Sequence, residues 1–238
     1  MKVYKARSGP FTERPFYTPS DVENMCDEEL NSIGLLPSAP SPIRIDRFIE
    51  KRFNVYPEYE KLPDGILGYI VFGEQGVRSI VISSSLSEAG TLSAERRINT
   101  TLAHEAGHAL LHTHLFMLGQ RPASLFGNAL DQNKPQFLCR NDAIQGIPGS
   151  KTVRYDGCWW EYQANLAIGP LLLPRSLVML SLQPYLINSG IMGTPLLDRH
   201  RQEAAVKELA ESFEVNPIVA KIRIDTLFPI SQDQQLTL

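Results

Sequence analysis

The sequence predicts an α+β fold in which a small β-sheet precedes one long helix and packs on it. Three observations predict this. Residues 94–115, AERRINTTLAHEAGHALLHTHL, repeat Ala and Leu at helical spacing without a proline. Just ahead of them, Ile66–Phe72 and Val77–Ile82 are β-branched and aromatic runs of strand length, and Gly73-Glu74-Gln75-Gly76 between them reads as a hairpin turn. Most of the remaining chain alternates helical apolar stripes with breaks rich in proline and glycine.

In chain order, the first 18 residues read as an irregular arm. Pro19-Ser20-Asp21 opens a helix whose stripe of Val22, Met25, Leu30 and Ile33 ends near Gly34. The joint LLPSAPSP cannot continue it. Ile43–Phe53 follows as a second helix, with Ile45, Phe48, Ile49 and Phe53 on one face. After the hairpin and the long helix, repeated Gly and Pro break residues 115–150 into short helices and loops, with Phe137-Leu138-Cys139 and Thr152-Val153-Arg154-Tyr155 as short strands. WWEYQANLAIGPLLLP, residues 159–174, begins as a helix that Pro174 ends. Leu182–Pro195 reads as a connector, and Arg201–Phe213 with a second helix starting at Asn216-Pro217 resembles a helix-turn-helix. The expected division is a main domain over 1–180, with its N-terminal helical arm, and a connector with a C-terminal helical appendage over 181–238.

Of the 238 residues, 43% are hydrophobic and 21% charged, enough apolar material for one sizeable core. The net charge of -3 provides no overall basic field for nucleic acid or acidic lipid. The amino terminus has no apolar h-region and no run reaches the ~18 apolar residues of a membrane span, so a cytoplasmic protein without a membrane segment is expected. The three cysteines, Cys26, Cys139 and Cys158, fit a reducing compartment; Cys139 and Cys158 are read as buried free thiols, with pairing or metal binding left open.

The chemistry concentrates in His104-Glu105-Ala106-Gly107-His108. Residues i and i+4 of a helix stand one turn apart on one face, so both imidazoles can bind one metal ion, and Glu105 is one step round, within reach of a water held there. Thr100, Leu102, Ala103, Ala106, Ala109, Leu110 and Leu111 surround the pair with little that could satisfy buried imidazoles. Arg96 and Arg97, just upstream, read as an exposed charged helix end.

A catalytic zinc ion normally takes three protein ligands. His114 lies about 240° round the helix from His108 at ~100° per residue, and Leu111 replaces the glycine that would let the chain turn back. His112 is on the right face but about 12 Å along the axis from His104, at 1.5 Å per residue. Cys158 remains open, since thiolates bind zinc well. Glu161 is best placed: it is an acid among large apolar residues on a second helix, and Asn165, one turn on, can hydrogen-bond His108 or Glu161 from outside. Glu105 then serves as general base on a metal-activated water. Tyr155, Tyr162, Arg154 and His200 are candidates for stabilising the oxyanion, on residue type alone. An edge strand beside such a helix commonly holds a substrate backbone as an added strand, a role open to the hairpin strands.

RRINTTLAHEAGHALLH, followed by WWEYQANLAIGPLLLP, resembles the ImmA/IrrE-type metallopeptidases over roughly Ile43–Arg175, and more loosely to Phe228. The resemblance implies a zincin-like domain with Zn2+ on His104, His108 and Glu161, and Glu105 as acid/base. It also implies a protein substrate, a helix-turn-helix repressor, whose cleavage relieves repression. Ile168-Gly169-Pro170 departs from the more usual Ala-rich helix, and the insert between the motifs is longer than in compact members.

The function expected is therefore a zinc-dependent endopeptidase acting on a regulatory protein. The alternative is a regulator that binds a repressor or DNA through its C-terminal helices without cutting. In Arg201–Phe228 the basic residues Arg201, Lys207, Lys221 and Arg223 face five acids, Glu203, Glu208, Glu211, Glu214 and Asp225, which favours helical packing or protein docking over DNA.

Overall fold

The computed structural model describes residues 2–5, 13–117, 136–140, 158–189 and 194–229, which form an α+β arrangement. The expected strand at Thr152–Tyr155 and the short helices and loops beyond residue 117 lie outside them, apart from 136–140. The amino-terminal arm is not irregular: β1 (Lys2–Lys5) pairs antiparallel with β2 (Glu13–Phe16), and the Tyr4 and Phe16 rings meet edge-on at 5.9 Å. Partners this far apart in sequence form no pattern inside either strand.

Helix α1 (Pro19–Ser32) starts where its cap demands: the Thr18 hydroxyl accepts from the Asp21 amide at 3.1 Å, and Asp21 accepts from the Thr18 amide at 2.8 Å. Its buried face is Val22, Cys26 and Leu30. Helix α2 (Ile45–Phe53) buries Ile45, Phe48 and Ile49. β3 (Glu58–Glu60), β4 (Ile66–Gly73) and β5 (Gly76–Ser83) precede a short α3 (Ser84–Glu88) and the long α4 (Leu92–Met117). The Thr91 hydroxyl caps α4 through the Ala94 amide at 3.2 Å. Arg96 and Arg97 are half-buried rather than exposed, because α2 and α3 pack against the first turns of α4.

With β6 (Gln136–Arg140) the sheet has the order β3-β5-β4-β6, parallel only at β3–β5. β4 lies inside the sheet between β5 and β6, whereas β3 pairs with only Val81–Ser83 of β5, so Gly76–Ile80 has no partner on that side among the described strands and the role open to the hairpin narrows to this part of β5. Among the described strands the edges are β3 and β6.

Helix α5 (Trp159–Leu172) ends before Pro174, which opens α6 (Arg175–Ser181). The connector is structured: β7 (Leu186–Ser189) and β8 (Thr194–Leu197) pair antiparallel. Asn216 precedes the second of two C-terminal helices, α7 (Gln202–Ser212) and α8 (Pro217–Leu227). One buried cluster runs from Val22 and Phe48 through Ile70, Leu102, Trp159 and Leu171 to Leu209 and Ile224, so the C-terminal helices share the core of the rest. No single helix among the described residues is long and apolar enough to cross a membrane.

Arg223, on α8, is 2% exposed and forms two hydrogen bonds to the Glu23 carboxylate on α1, at 2.7 and 2.5 Å, while its Nε donates to the Leu173 carbonyl at 2.9 Å. Lys221 pairs with Asp225 and Arg201 donates to the Pro184 carbonyl, so three of the four basic side chains of Arg201–Phe228 are engaged within the chain, while Lys207 stands 3.9 Å from Glu211 with both side chains largely exposed. Removing one partner of a buried pair strands the other, so Arg223→Ala should cost about 3–5 kcal/mol in urea unfolding. A loss under about 1 kcal/mol would mean that α8 is not fastened by this pair.

Candidate metal centre

Two close approaches bring the site together, and glycine permits each. A Cβ on Gly107 would stand 2.8 Å from the Ala164 carbonyl oxygen and 3.0 Å from the Ala167 Cβ, so α4 and α5 touch backbone to backbone within the HExxH turn. A Cβ on Gly68 would stand 2.8 Å from Thr101 Cγ2, which lets β4 press against the same helix one turn earlier. Overpacking of this kind costs about 1–3 kcal/mol. Gly107→Ala should therefore lower stability by that amount and weaken metal binding as well, measured by thermal unfolding with and without metal; a variant with unchanged metal affinity would show that the helix spacing does not set the site.

At the first contact His104, His108 and Glu161 converge, as expected. The two Nε2 atoms lie 3.1 Å apart, and the Glu161 oxygens lie 3.2 Å from that of His104 and 3.5 Å from that of His108. Three atoms bound at about 2.0–2.1 Å to a tetrahedral ion are spaced by about 3.3 Å, so the triangle fits a small divalent cation.

The hydrogen bonds behind the rings decide which nitrogens carry protons. His104 Nδ1 lies 3.0 Å from Asn165 Oδ1, so it donates, and His104 Nε2 keeps its lone pair. For His108 the chain of contacts is longer. Gln163 Nε2 donates to the Pro15 carbonyl at 2.8 Å, which turns Gln163 Oε1 toward His112 Nε2 at 3.0 Å. His112 therefore donates from Nε2 and accepts at Nδ1, and His108 Nδ1 donates to it at 3.1 Å. His108 Nε2 is then unprotonated too. Two lone pairs face each other across 3.1 Å beside a carboxylate, an arrangement that a shared cation reconciles.

Burial reinforces the neutral form, pushing His108 below the usual imidazole range and His112 further below. The two carboxyls are pushed apart. Burial, with the Glu161 charge beside it, raises Glu105 well above the usual carboxylate range. Burial also pushes Glu161 up, but charge and hydrogen bonding from the facing His108 and His104 imidazoles in their protonated form outweigh it and hold Glu161 well below that range; with the imidazoles neutral, a bound cation would take that part. Such a split separates a proton carrier, Glu105, from a permanent anion, Glu161. The oxygens of both are buried and have no hydrogen-bond partner among the described residues. Glu161 approaches the imidazoles closely without hydrogen-bond geometry, as a ligand does.

His112 is no ligand but fixes one, and Asn165 braces His104 rather than His108 or Glu161. Gln163, Gly68 and Cys139 carry no motif; Cys139 Sγ lies within 4.8 Å of ligand atoms of His104 and Glu105. Helical spacing from His108 was the signal for His112, whereas a buried glutamine beside two tryptophans had none. Cys139 is a buried thiol outside any disulfide, as expected, and so is Cys26; Cys158, expected to be buried as well, is half-buried, and it lies outside the three-ligand group. His114 is also outside that group. Tyr162 is half-buried next to Glu161 and His200 is exposed on the turn after β8; Arg154 and Tyr155 lie outside the described residues. Loss of an outer partner typically costs about 10–100-fold in metal affinity. Gln163→Leu and His112→Phe should each weaken metal binding by about that factor in a chelator competition; undiminished affinity in both would remove the relay from the site.

No protein-family model matches the chain, and no curated protein matches it.

Proposed function

We propose that the chain is a zinc-dependent hydrolase, with His104, His108 and Glu161 as ligands and Glu105 as the proton carrier. More particularly, it is read as a zincin-like endopeptidase of the ImmA/IrrE kind that cuts a regulatory protein, a helix-turn-helix repressor. The observation that carries the first step is the triangle of ligand atoms at 3.1–3.5 Å beside the buried Glu105 carboxyl, which meets no hydrogen-bond partner among the described residues. Two imidazoles and one carboxylate make up a catalytic zinc set, and zinc held there lowers the pKa of water toward ~7 and polarises a carbonyl.

The chain's own residues do the rest. Glu161 supplies the negative charge, and Asn165 and the His112–Gln163 relay keep the imidazoles in their donating orientation. Glu105, ionised when a cation stands beside it, accepts a proton from the attacking water and returns it to the leaving nitrogen. A domain that only binds needs no general base, so a buried carboxyl with no hydrogen-bond partner among the described residues favours hydrolysis over the binding-only alternative. The engagement of Arg201, Lys221 and Arg223 within the chain, with Lys207 next to Glu211, favours a protein partner over DNA. Of the described strands, β6 stands at the sheet edge with Cys139 near Glu105, which favours it as the strand that receives an extended peptide there.

The test is elemental analysis of the purified chain, followed by cleavage of helix-turn-helix repressors from the same cell. Stoichiometric zinc and cleavage that chelator abolishes are expected. Stoichiometric iron in its place, or cleavage products identical for wild type and Glu105→Gln, would sink the reading.

A further inference from the structure

We propose that Glu105 and Cys139 form a second metal site beside the first, one that takes a thiophilic divalent cation and silences Glu105 when filled. The inference rests on the three-ligand centre described above and adds a way of regulating it.

The argument begins with register. Gly68 pairs with Cys139 across β4 and β6, and the same Gly68 is the point where the sheet presses on Thr101. Glu105 is four residues beyond Thr101 and so on the same face of α4, turned toward the strand that carries Cys139. The outcome is that ligand atoms of His104, Glu105 and Cys139 all lie within 4.8 Å of one another, with all three side chains buried. The second, independent observation is Glu105 itself: both oxygens are buried and meet no donor among the described residues, although burying such a group unpaired is costly.

His104 cannot serve both sites, because Asn165 holds its Nδ1 and its Nε2 belongs to the first triangle. The second ion is therefore left a carboxylate and a thiolate from the protein, and solvent completes its shell. Sulfur ligands select soft and borderline cations such as cadmium and zinc over magnesium or calcium. Binding releases the Cys139 thiol proton, and the Glu105 proton where it is present; the two anions then neutralise the 2+ charge. The first ion repels the second, so the sites fill in order and the second is the weaker. A Glu105 carboxylate that shares its charge with a cation is a much weaker base toward water. An excess of metal thus slows the reaction that one ion supports.

Cadmium titration of the metal-free full chain, in a phosphine reductant, tests this by two readouts: bound ions per chain and the ultraviolet thiolate-to-cadmium charge-transfer band. Two ions are expected, with the band rising only with the second. The Cys26→Ala/Cys158→Ala double variant should keep both features. Cys139→Ser and Cys139→Ala should bind one ion with no band. One ion without a band in wild type, one ion with a band, or a band that survives loss of Cys139 would each overturn the second site. Should Cys139 variants fail to fold, the wild-type stoichiometry and the double variant still decide. Wild type that binds no cadmium would remove the three-ligand centre too, so the two failures are distinguishable.

Discussion

Glu161→Ala should purify without zinc and bind it at least about 100-fold more weakly than wild type, with little loss of stability in the metal-free form. The expected loss exceeds the roughly 10–100-fold typical of an outer partner, because the variant removes one of three ligands and the only anion among them. Stability should hold in the absence of metal because the Glu161 oxygens meet no hydrogen-bond donor among the described residues, so truncation strands none of these. Isothermal titration with zinc against a competing chelator measures the first part, and urea unfolding of chelator-treated protein the second. Affinity within about tenfold of wild type would pass the third position to another group and dissolve the proposed centre.

Glu105→Gln should separate binding from chemistry. Zinc content should be unchanged, since Glu105 is not in the triangle, while repressor cleavage falls by about 10²–10⁴-fold, the usual contribution of a positioned general base. The variant also carries a pH signature in the metal-free protein. Burial, aided by Glu161, raises the Glu105 carboxyl in the folded state, so the folded chain keeps a proton that the unfolded chain gives up above about pH 4.3. Wild-type stability therefore falls as pH rises from there toward the folded pKa, by about 1.4 kcal/mol per pH unit for one such proton. Glu105→Gln has no proton to lose. Its stability advantage over wild type should widen between about pH 5 and 7, and parallel pH profiles would show that Glu105 is not held protonated.

How much of this was legible depended on distance along the chain. The capping box at Thr18 and Asp21, the stripes of α1 and α2, and the hairpin turn at Glu74-Gln75 are local, so propensity and period were enough. The β1–β2 pair, β6 as a sheet edge and the β7–β8 pair are not legible there, because each exists only through a partner. Within the site, His104 and His108 stand one turn apart and declare themselves, and Glu161 stands out as an acid among tryptophans and leucines. Asn165 reads as an outer partner, but its actual contact, His104, depends on how α5 crosses α4.

The sequence alone determined the longer helices, the hairpin and the chemical identity of the donors, since periodicity, turn chemistry and side-chain type are properties of neighbouring residues, whereas the short α3 and α6 carry too few turns to show a period. Only the tertiary structure decided which groups stand behind each imidazole, which of the described strands lie at the sheet edges and that a thiol stands next to Glu105. Those outcomes depend on two backbone contacts, at Gly107 and Gly68, between segments far apart in the chain. The missing side chain at each glycine lets the segments meet, and what then faces what is fixed by the packing of the whole core.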